Sequence, residues 1–305
     1  MIVVVAPGQG SQTPGFLQPW LAVPGVPEHL SRLGEAAELD LIAHGTVSTA
    51  DTLRDTAIAQ PLIVAAGLVA LAALRRAGGR EIGGIAGHSV GEITAAAGAG
   101  ILSESDAMRF VAARGRAMAA AAAEVETGMS AVIGGDVAEV QERLAKLNLS
   151  PANYNGAGQL VAAGPIPALA ELRNSPPTGS RVIPLQVAGA FHTPYMASAQ
   201  TELAALAATL AVTDPALPIW TNRDGSSVSA GRVFLDLLVG QVASPVRWDR
   251  TMAALAASGV RGIIELPPAG ALTGLLKRSL KGTPSVALKT PSDLAAALLL
   301  LQENQ

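Results

Sequence analysis

The five residues Gly87-His88-Ser89-Val90-Gly91 constrain the architecture of this chain more than any other stretch. They match G-x-S-x-G, the pattern in which a serine sits on a sharp turn between a strand and a helix. Both flanks agree. Ile82, Ile85 and Ala86 lie in a short apolar run that predicts a buried strand, and Glu92-Ile93-Thr94-Ala95-Ala96-Ala97 contains no breaker and predicts a helix start. A strained turn needs small neighbours if a serine oxygen is to face a cleft, and the paired glycines provide them. A chain built around such a turn needs a sheet whose strands feed helices.

The remaining sequence supplies that alternation. Ile2 to Ala6 predicts a strand that runs into Pro7-Gly8-Gln9-Gly10-Ser11-Gln12, at the carboxyl end where open α/β sheets place ligands. The loop is no P-loop, because Gly10-Ser11-Gln12 stands where Gly-Lys-Ser/Thr is required, and a dinucleotide fingerprint would need glycine at Thr13. It is either a plain tight turn or a set of exposed N–H groups able to hold an oxyanion. Gln60-Pro61 opens an apolar helix to Leu74, and Ser103 caps a helix reaching about Ala123. After residue 190 the pattern predicts helix Met196 to Leu210, strand Leu217 to Thr221, a loop over 224–231 and helix Val233 to Gln241. Strand Arg261 to Glu265, a helix holding Lys277-Arg278, strand Val286 to Leu288 and a terminal helix begun by Ser292 complete it. Such alternation predicts a parallel sheet.

Between 127 and 190 the rhythm differs. Strands Met129 to Ile133, Gln159 to Ala163 and Arg181 to Val187 alternate with helices Val137 to Leu147 and Ile166 to Arg173. This predicts a small ferredoxin-like subdomain, 127–190, inserted into a large domain made of 1–126 and 191–305. The loop Asn153-Tyr154-Asn155-Gly156 carries two amides, whose commonest use is to cap a turn.

Several function classes drop out on composition. With 305 residues, half of them hydrophobic, the chain can bury a large core. A net charge of −3 gives no footprint for nucleic acid, and zero cysteines remove thiol catalysis, disulfides and cysteine-zinc sites. The apolar start ends at Pro7-Gly8 with no basic segment before it, and the run Pro61 to Leu74 is shorter than the ~20 residues of a membrane span. A soluble, cytoplasmic protein is expected.

A serine nucleophile needs a base, and four histidines are on offer. His29 and His44 fall in a polar, irregular stretch and are expected in solvent, while His88 next to the serine suits a structural role. His192 follows the inserted subdomain, in the serine-then-histidine order of an elbow-type fold. Arg114 is the other informative residue. Its spacing from Ala107, Phe110, Val111 and Met118 puts it on the apolar stripe of its helix, away from Arg109 and Arg116, with no acid three or four residues away. A buried guanidinium must be paired, so its partner is either an acid from elsewhere in the fold or a ligand.

With these residues in view, the chain resembles the discrete malonyl-CoA:acyl-carrier-protein transacylases. The likeness runs over essentially all 305 residues, through Pro7 to Gln12, Gln60-Pro61, Gly87 to Glu92, Arg114-Gly115, Asn153-Tyr154-Asn155, Phe191-His192, Pro245-Val246-Arg247-Trp248 and Leu275-Leu276-Lys277-Arg278. The resemblance implies a parallel-sheet α/β-hydrolase-like core with the ferredoxin-like insert. It implies a ping-pong transfer in which Ser89 takes malonyl from malonyl-CoA and passes it to the phosphopantetheine thiol of an acidic acyl carrier protein, with His192 as base. It further implies an oxyanion hole from the N–H groups of Gln9 and Val90, an imidazole oriented by the main-chain carbonyl of Gln241, and a malonyl carboxylate held by Arg114. Gln60, Asn155 and Phe191 match positions lining the same pocket, with Phe191 in the malonyl-selecting form. Lys277 and Arg278 are either the carrier-protein dock or an ordinary solvated face. The expected chain is a monomer with no metal, no permanently bound cofactor, and no nucleic-acid or membrane partner. The malonyl-transferring subunit of a malonate decarboxylase shares these motifs, and a serine hydrolase shares the elbow. One departure is Pro267-Pro268-Ala269-Gly270, where many members of that family have Gly-Pro-Gly.

Overall fold

The computed structural model describes residues 1–79 and 81–303. Strand β1 (Ile2–Ala6) is buried along its whole length. Ile2, Val4 and Ala6 face one apolar cluster while Val3 and Val5 face another, as a central strand covered on both sides requires.

The segment read as polar and irregular folds into helices α1 (Val26–Ala37) and α2 (Leu41–Thr46). His29 therefore corrects its expectation. It is buried, and its Nε2 lies 2.6 Å from Glu104 Oε2. Early prolines and glycines masked α1: Pro27 is tolerated in a first turn, and Gly25 supplies the left-handed residue before it at φ +80°. Helix α3 (Thr56–Arg76) also begins earlier than Gln60-Pro61 suggested, because Asp55 caps it by accepting from Ala57 N at 2.9 Å. Its 21 residues are long and apolar enough to cross a membrane, but 83% of its apolar window is buried inside the protein.

Strand β2 (Gly84–Gly87) leads through the elbow into α4 (Gly91–Gly98), and α5 (Glu104–Glu124) starts at the Ser103 cap, whose hydroxyl accepts from Asp106 N. The second sheet comes next in sequence: β3 (Thr127–Gly134), α6 (Val137–Lys146), β4 (Ser150–Gly156), β5 (Gln159–Pro165), α7 (Ile166–Asn174) and β6 (Ser180–Pro184). It is antiparallel in the order β4-β5-β3-β6, the ferredoxin-like arrangement. The sequence reading missed β4. Pro151 and two asparagines hide its alternation, and two register shifts interrupt its pairing with β5. In β5, Leu160 and Ala162 face α6 and α7, whereas Val161 and Ala163 join the core of the large sheet's layers.

After α8 (Ala197–Ala207), strand β7 (Ile219–Trp220), α9 (Gly231–Gln241), α10 (Trp248–Ala257), β8 (Gly262–Glu265), α11 (Ala271–Ser279), β9 (Ser285–Ala287) and α12 (Leu294–Gln302) close the fold. The large sheet is parallel throughout, in the order β7-β2-β1-β8-β9. Helix α10, which the local pattern does not predict, packs with α11 against the Val3 and Val5 side. The departure noted after β8 is a turn containing a cis Pro267–Pro268 peptide. The carboxyl ends of β1, β2 and β7 thus converge, with the Gly-rich loop, the elbow and the Thr221-Asn222 segment side by side.

Candidate active site

Ser89 stands at the turn between β2 and α4 with φ +53°, a left-handed conformation for a residue with a side chain. Gly91 lets the helix start press onto β1, since a Cβ there would lie 2.2 Å from the Ala6 carbonyl oxygen. Ser89 Oγ lies 2.7 Å from His192 Nε2, and His192 Nδ1 lies 2.8 Å from the Gln241 carbonyl oxygen. A carbonyl only accepts, so Nδ1 carries the proton and Nε2 is left to take the serine's. His192 is also pinned by its main-chain N–H, which donates to Val242 O at 3.0 Å. Burial, and then the nearby charge of Arg114, push its imidazole down to about 3, so it is neutral at ordinary pH.

A cavity of about 400 Å³ opens over Ser89 between the two sheets. The Gly-rich loop and elbow form its floor, Met129 and Val161 of the small sheet one wall, and Leu275 and Arg278 of α11 its rim. Gln9 and Val90 line it, and their main-chain N–H groups have no acceptor among the described residues. Two unspent N–H donors beside a serine are what an oxyanion needs. Gln60, Asn155 and Phe191 line the same space. Asn155 is not simply a turn cap: its Oδ1 takes His88 Nε2 at 3.0 Å, holding that imidazole away from the serine oxygen and edge-on to Trp248.

Arg114 sits beneath the cavity, 1% exposed. Gly115 allows α5 to meet the start of α3, because a Cβ there would be 2.8 Å from Thr56 O, and this brings Arg114 against Gln60. The guanidinium donates to Gln60 Oε1 at 2.6 Å and to Gln241 Oε1 at 2.8 Å. Its partners inside the protein are therefore two neutral amides, with no carboxylate in direct contact among the described residues. Lys277 and Arg278 are both exposed on α11; Arg278 reaches the cavity rim, where its Nη2 is 3.5 Å from Gln159 Oε1.

Two residues that the sequence reading passed over complete the site. Asn222, fully buried just after β7, accepts Ser89 N–H at 2.7 Å and donates from Nδ2 to Gly87 O at 2.7 Å, clamping both arms of the elbow. Its own N–H donates to Glu92 Oε1 at 2.7 Å. Glu92 is buried in the first turn of α4, and its Oε2 accepts from Gln241 Nε2. An asparagine at the carboxyl end of a predicted strand and an acid within an otherwise apolar helix start were the available signals.

The arrangement can activate a serine and hold a tetrahedral oxyanion, and Gln60 links the buried Arg114, which does not itself line the cavity, to the cavity wall. Residues 3–298 match the acyl transferase domain family. The chain is 50% identical over 297 residues to the malonyl CoA-acyl carrier protein transacylase of Mycobacterium tuberculosis (strain ATCC 25618 / H37Rv), covering 96% of this chain and 98% of that one. It superimposes on the crystal structure of MCAT from Mycobacterium tuberculosis with a TM-score of 0.94 at 49% identity, covering 97% and 99% of the two chains. It is also similar, with a TM-score of 0.92 at 29% identity and 100% and 99% coverage, to a malonyl-transacylase solved in complex with its type II polyketide acyl-carrier protein.

Proposed function

The chain belongs to the acyl transferase domain family, and from that premise we propose that it moves a malonyl group from malonyl-CoA to the phosphopantetheine thiol of an acyl carrier protein. It is an acyl-carrier-protein S-malonyltransferase. The observation that carries the mechanism is the 2.7 Å contact between Ser89 Oγ and a His192 Nε2 whose tautomer is set by the Gln241 carbonyl.

Ser89 Oγ attacks the thioester carbonyl as His192 Nε2 takes its proton. The oxyanion rests on the N–H groups of Gln9 and Val90, each a term of about 3 kcal/mol in comparable chemistry. Collapse expels the coenzyme A thiolate, which His192 protonates, leaving a malonyl ester on Ser89. The carrier-protein thiol then runs the same steps in reverse. Arg114 receives the free carboxylate, its planar fork exchanging an amide acceptor for an anionic one. Gln60, Asn155 and Phe191 shape the acyl pocket. Lys277 and Arg278 form the basic rim on which an acidic carrier protein docks.

Treating the protein with malonyl-CoA and measuring its mass tests this reading. The expected result is one added malonyl group located on Ser89 and discharged by carrier protein with formation of malonyl-carrier protein. Release of free malonate alone would place the chain with serine hydrolases.

A further inference from the structure

The transfer chemistry leaves Glu92 without a task, although it is the most heavily buried acid touching the site's hydrogen-bond network. Its carboxylate accepts Asn222 N–H and Gln241 Nε2–H. Gln241 in turn accepts Arg114 Nη2–H. One amide thus separates the site's buried cation from its buried anion. A second cavity of about 230 Å³ reaches Glu92 and Gln241 and shares no lining residue with the cavity over Ser89, and Arg223, Asp236 and Ser244 stand along it.

Where Glu92 is ionised, a malonyl carboxylate on Arg114 would bring a second negative charge to the guanidinium that Glu92 faces across the Gln241 amide. Two carboxylates sharing one cation in a dry interior favour protonation of one of them. We propose that Glu92 takes up one proton from solvent through the rear cavity when the acyl carboxylate docks on Arg114, and returns it when that carboxylate leaves. The inference rests on the malonyl reading above. No electrons move: a carboxylate and a proton become a carboxylic acid. The groups facing Glu92 are Arg114 from α5, Thr221 and Asn222 after β7, and Gln241 from α9, with Arg223 and Asp236 farther along the cavity. Burial already pushes the Glu92 carboxyl up to about 8, so it stands ionised, and open to a proton, above that pH. Acyl groups without a carboxylate draw no proton, and this makes Glu92 a positioning residue that reads substrate charge.

Infrared difference spectra of the whole enzyme before and after loading with 13C-malonyl-CoA at about pH 9, with the adduct mass read in parallel, test the idea. The expected result is a deuterium-sensitive protonated-carboxyl band that 13C labelling of the malonyl group does not move, that acetyl loading does not produce, and that Glu92→Gln removes. Should that variant fail to fold, Glu92→Asp is expected to shift the band. In kinetics, malonyl kcat/KM relative to acetyl falls by up to about tenfold per pH unit above the Glu92 range, and Glu92→Gln flattens that fall. A malonyl adduct without the band, or with a band that survives Glu92→Gln, overturns the proposal and leaves the transferase reading intact. No adduct at all removes both.

Discussion

Arg114 and His192 are fastened to the same residue: the side-chain oxygen of Gln241 accepts Arg114 Nη2–H at 2.8 Å, and its main-chain carbonyl accepts from His192 Nδ1 at 2.8 Å. The group proposed to recognise the acyl carboxylate and the proposed base are therefore positioned by one turn at the end of α9. Displacement of the side chain leaves the carbonyl in place, so substrate recognition can rearrange while the imidazole stays fixed.

Arg114→Ala is expected to lower malonyl transfer by about 3 kcal/mol, roughly a hundredfold, since a carboxylate would enter a buried site with no cation. Acetyl transfer should change far less. Measuring kcat/KM for both acyl-CoA substrates decides it, and equal losses would make Arg114 a structural residue only.

The pH profile follows from His192. A base must be neutral, and burial with the Arg114 charge holds this imidazole down to about 3, so acylation should show no histidine limb near 6.5 and should persist toward pH 5. Arg114→Met removes the second of those causes and should move the acid limb upward. The stability sign is separate: the unfolded chain binds the proton below 6.5 and the folded one only near 3. Stability is therefore retained above 6.5 and lost as pH falls between those values, by up to about 1.4 kcal/mol per unit. Urea titrations of His192→Gln should lose less over that interval.

Asn222 holds the elbow shut with three hydrogen bonds. By engaging Ser89 N–H it also leaves Val90 N–H as the elbow's open donor. Asn222→Ala strands one donor, Ser89 N–H, and one acceptor, Gly87 O, at about 1–3 kcal/mol each in the worst case, and is expected to lower both stability and the rate of Ser89 acylation. Asn222→Asp keeps the acceptor for Ser89 but sets an oxygen against Gly87 O, so it should fold less well than it acylates. Denaturant midpoints paired with adduct formation rates separate the two effects.

The elbow and the sheet around it were legible because they depend on local rules. Ser89 needs small neighbours, Ile2 to Ala6 is apolar on both faces, and Ser103 followed by Asp106 marks a helix start. Glu92 and Asn222 were not legible, because their importance lies in meeting each other and Gln241 across 130 and 149 residues of sequence. His29 was misplaced for the same reason, since its partner Glu104 is 75 residues away. Strand β4 was lost because its order comes from pairing with β5, against the local preference of Pro151 and its asparagines for a loop. Arg114 was half legible: its helical face announced a missing partner, but the spacing could not reveal that two amides would fill the place.

Carrier-protein docking can be tested apart from chemistry because the two half-reactions meet different partners. Lys277 and Arg278 are exposed on α11, and Arg278 reaches the cavity rim, where its Nη2 is 3.5 Å from Gln159 Oε1, while Arg114 is buried and bonded to Gln60 and Gln241. Reversing both charges, Lys277→Glu with Arg278→Glu, should leave the rate of Ser89 malonylation by malonyl-CoA within a few-fold of the parent. Discharge to an acidic carrier protein should fall about tenfold or more at low salt, mainly through slower encounter, and the gap should close as ionic strength rises. Single-turnover measurements of each half-reaction across a salt series check this. A loss of equal size in the first half-reaction would mean that Arg278 serves the coenzyme A side of the cleft, and an unchanged second half-reaction would move the docking surface elsewhere.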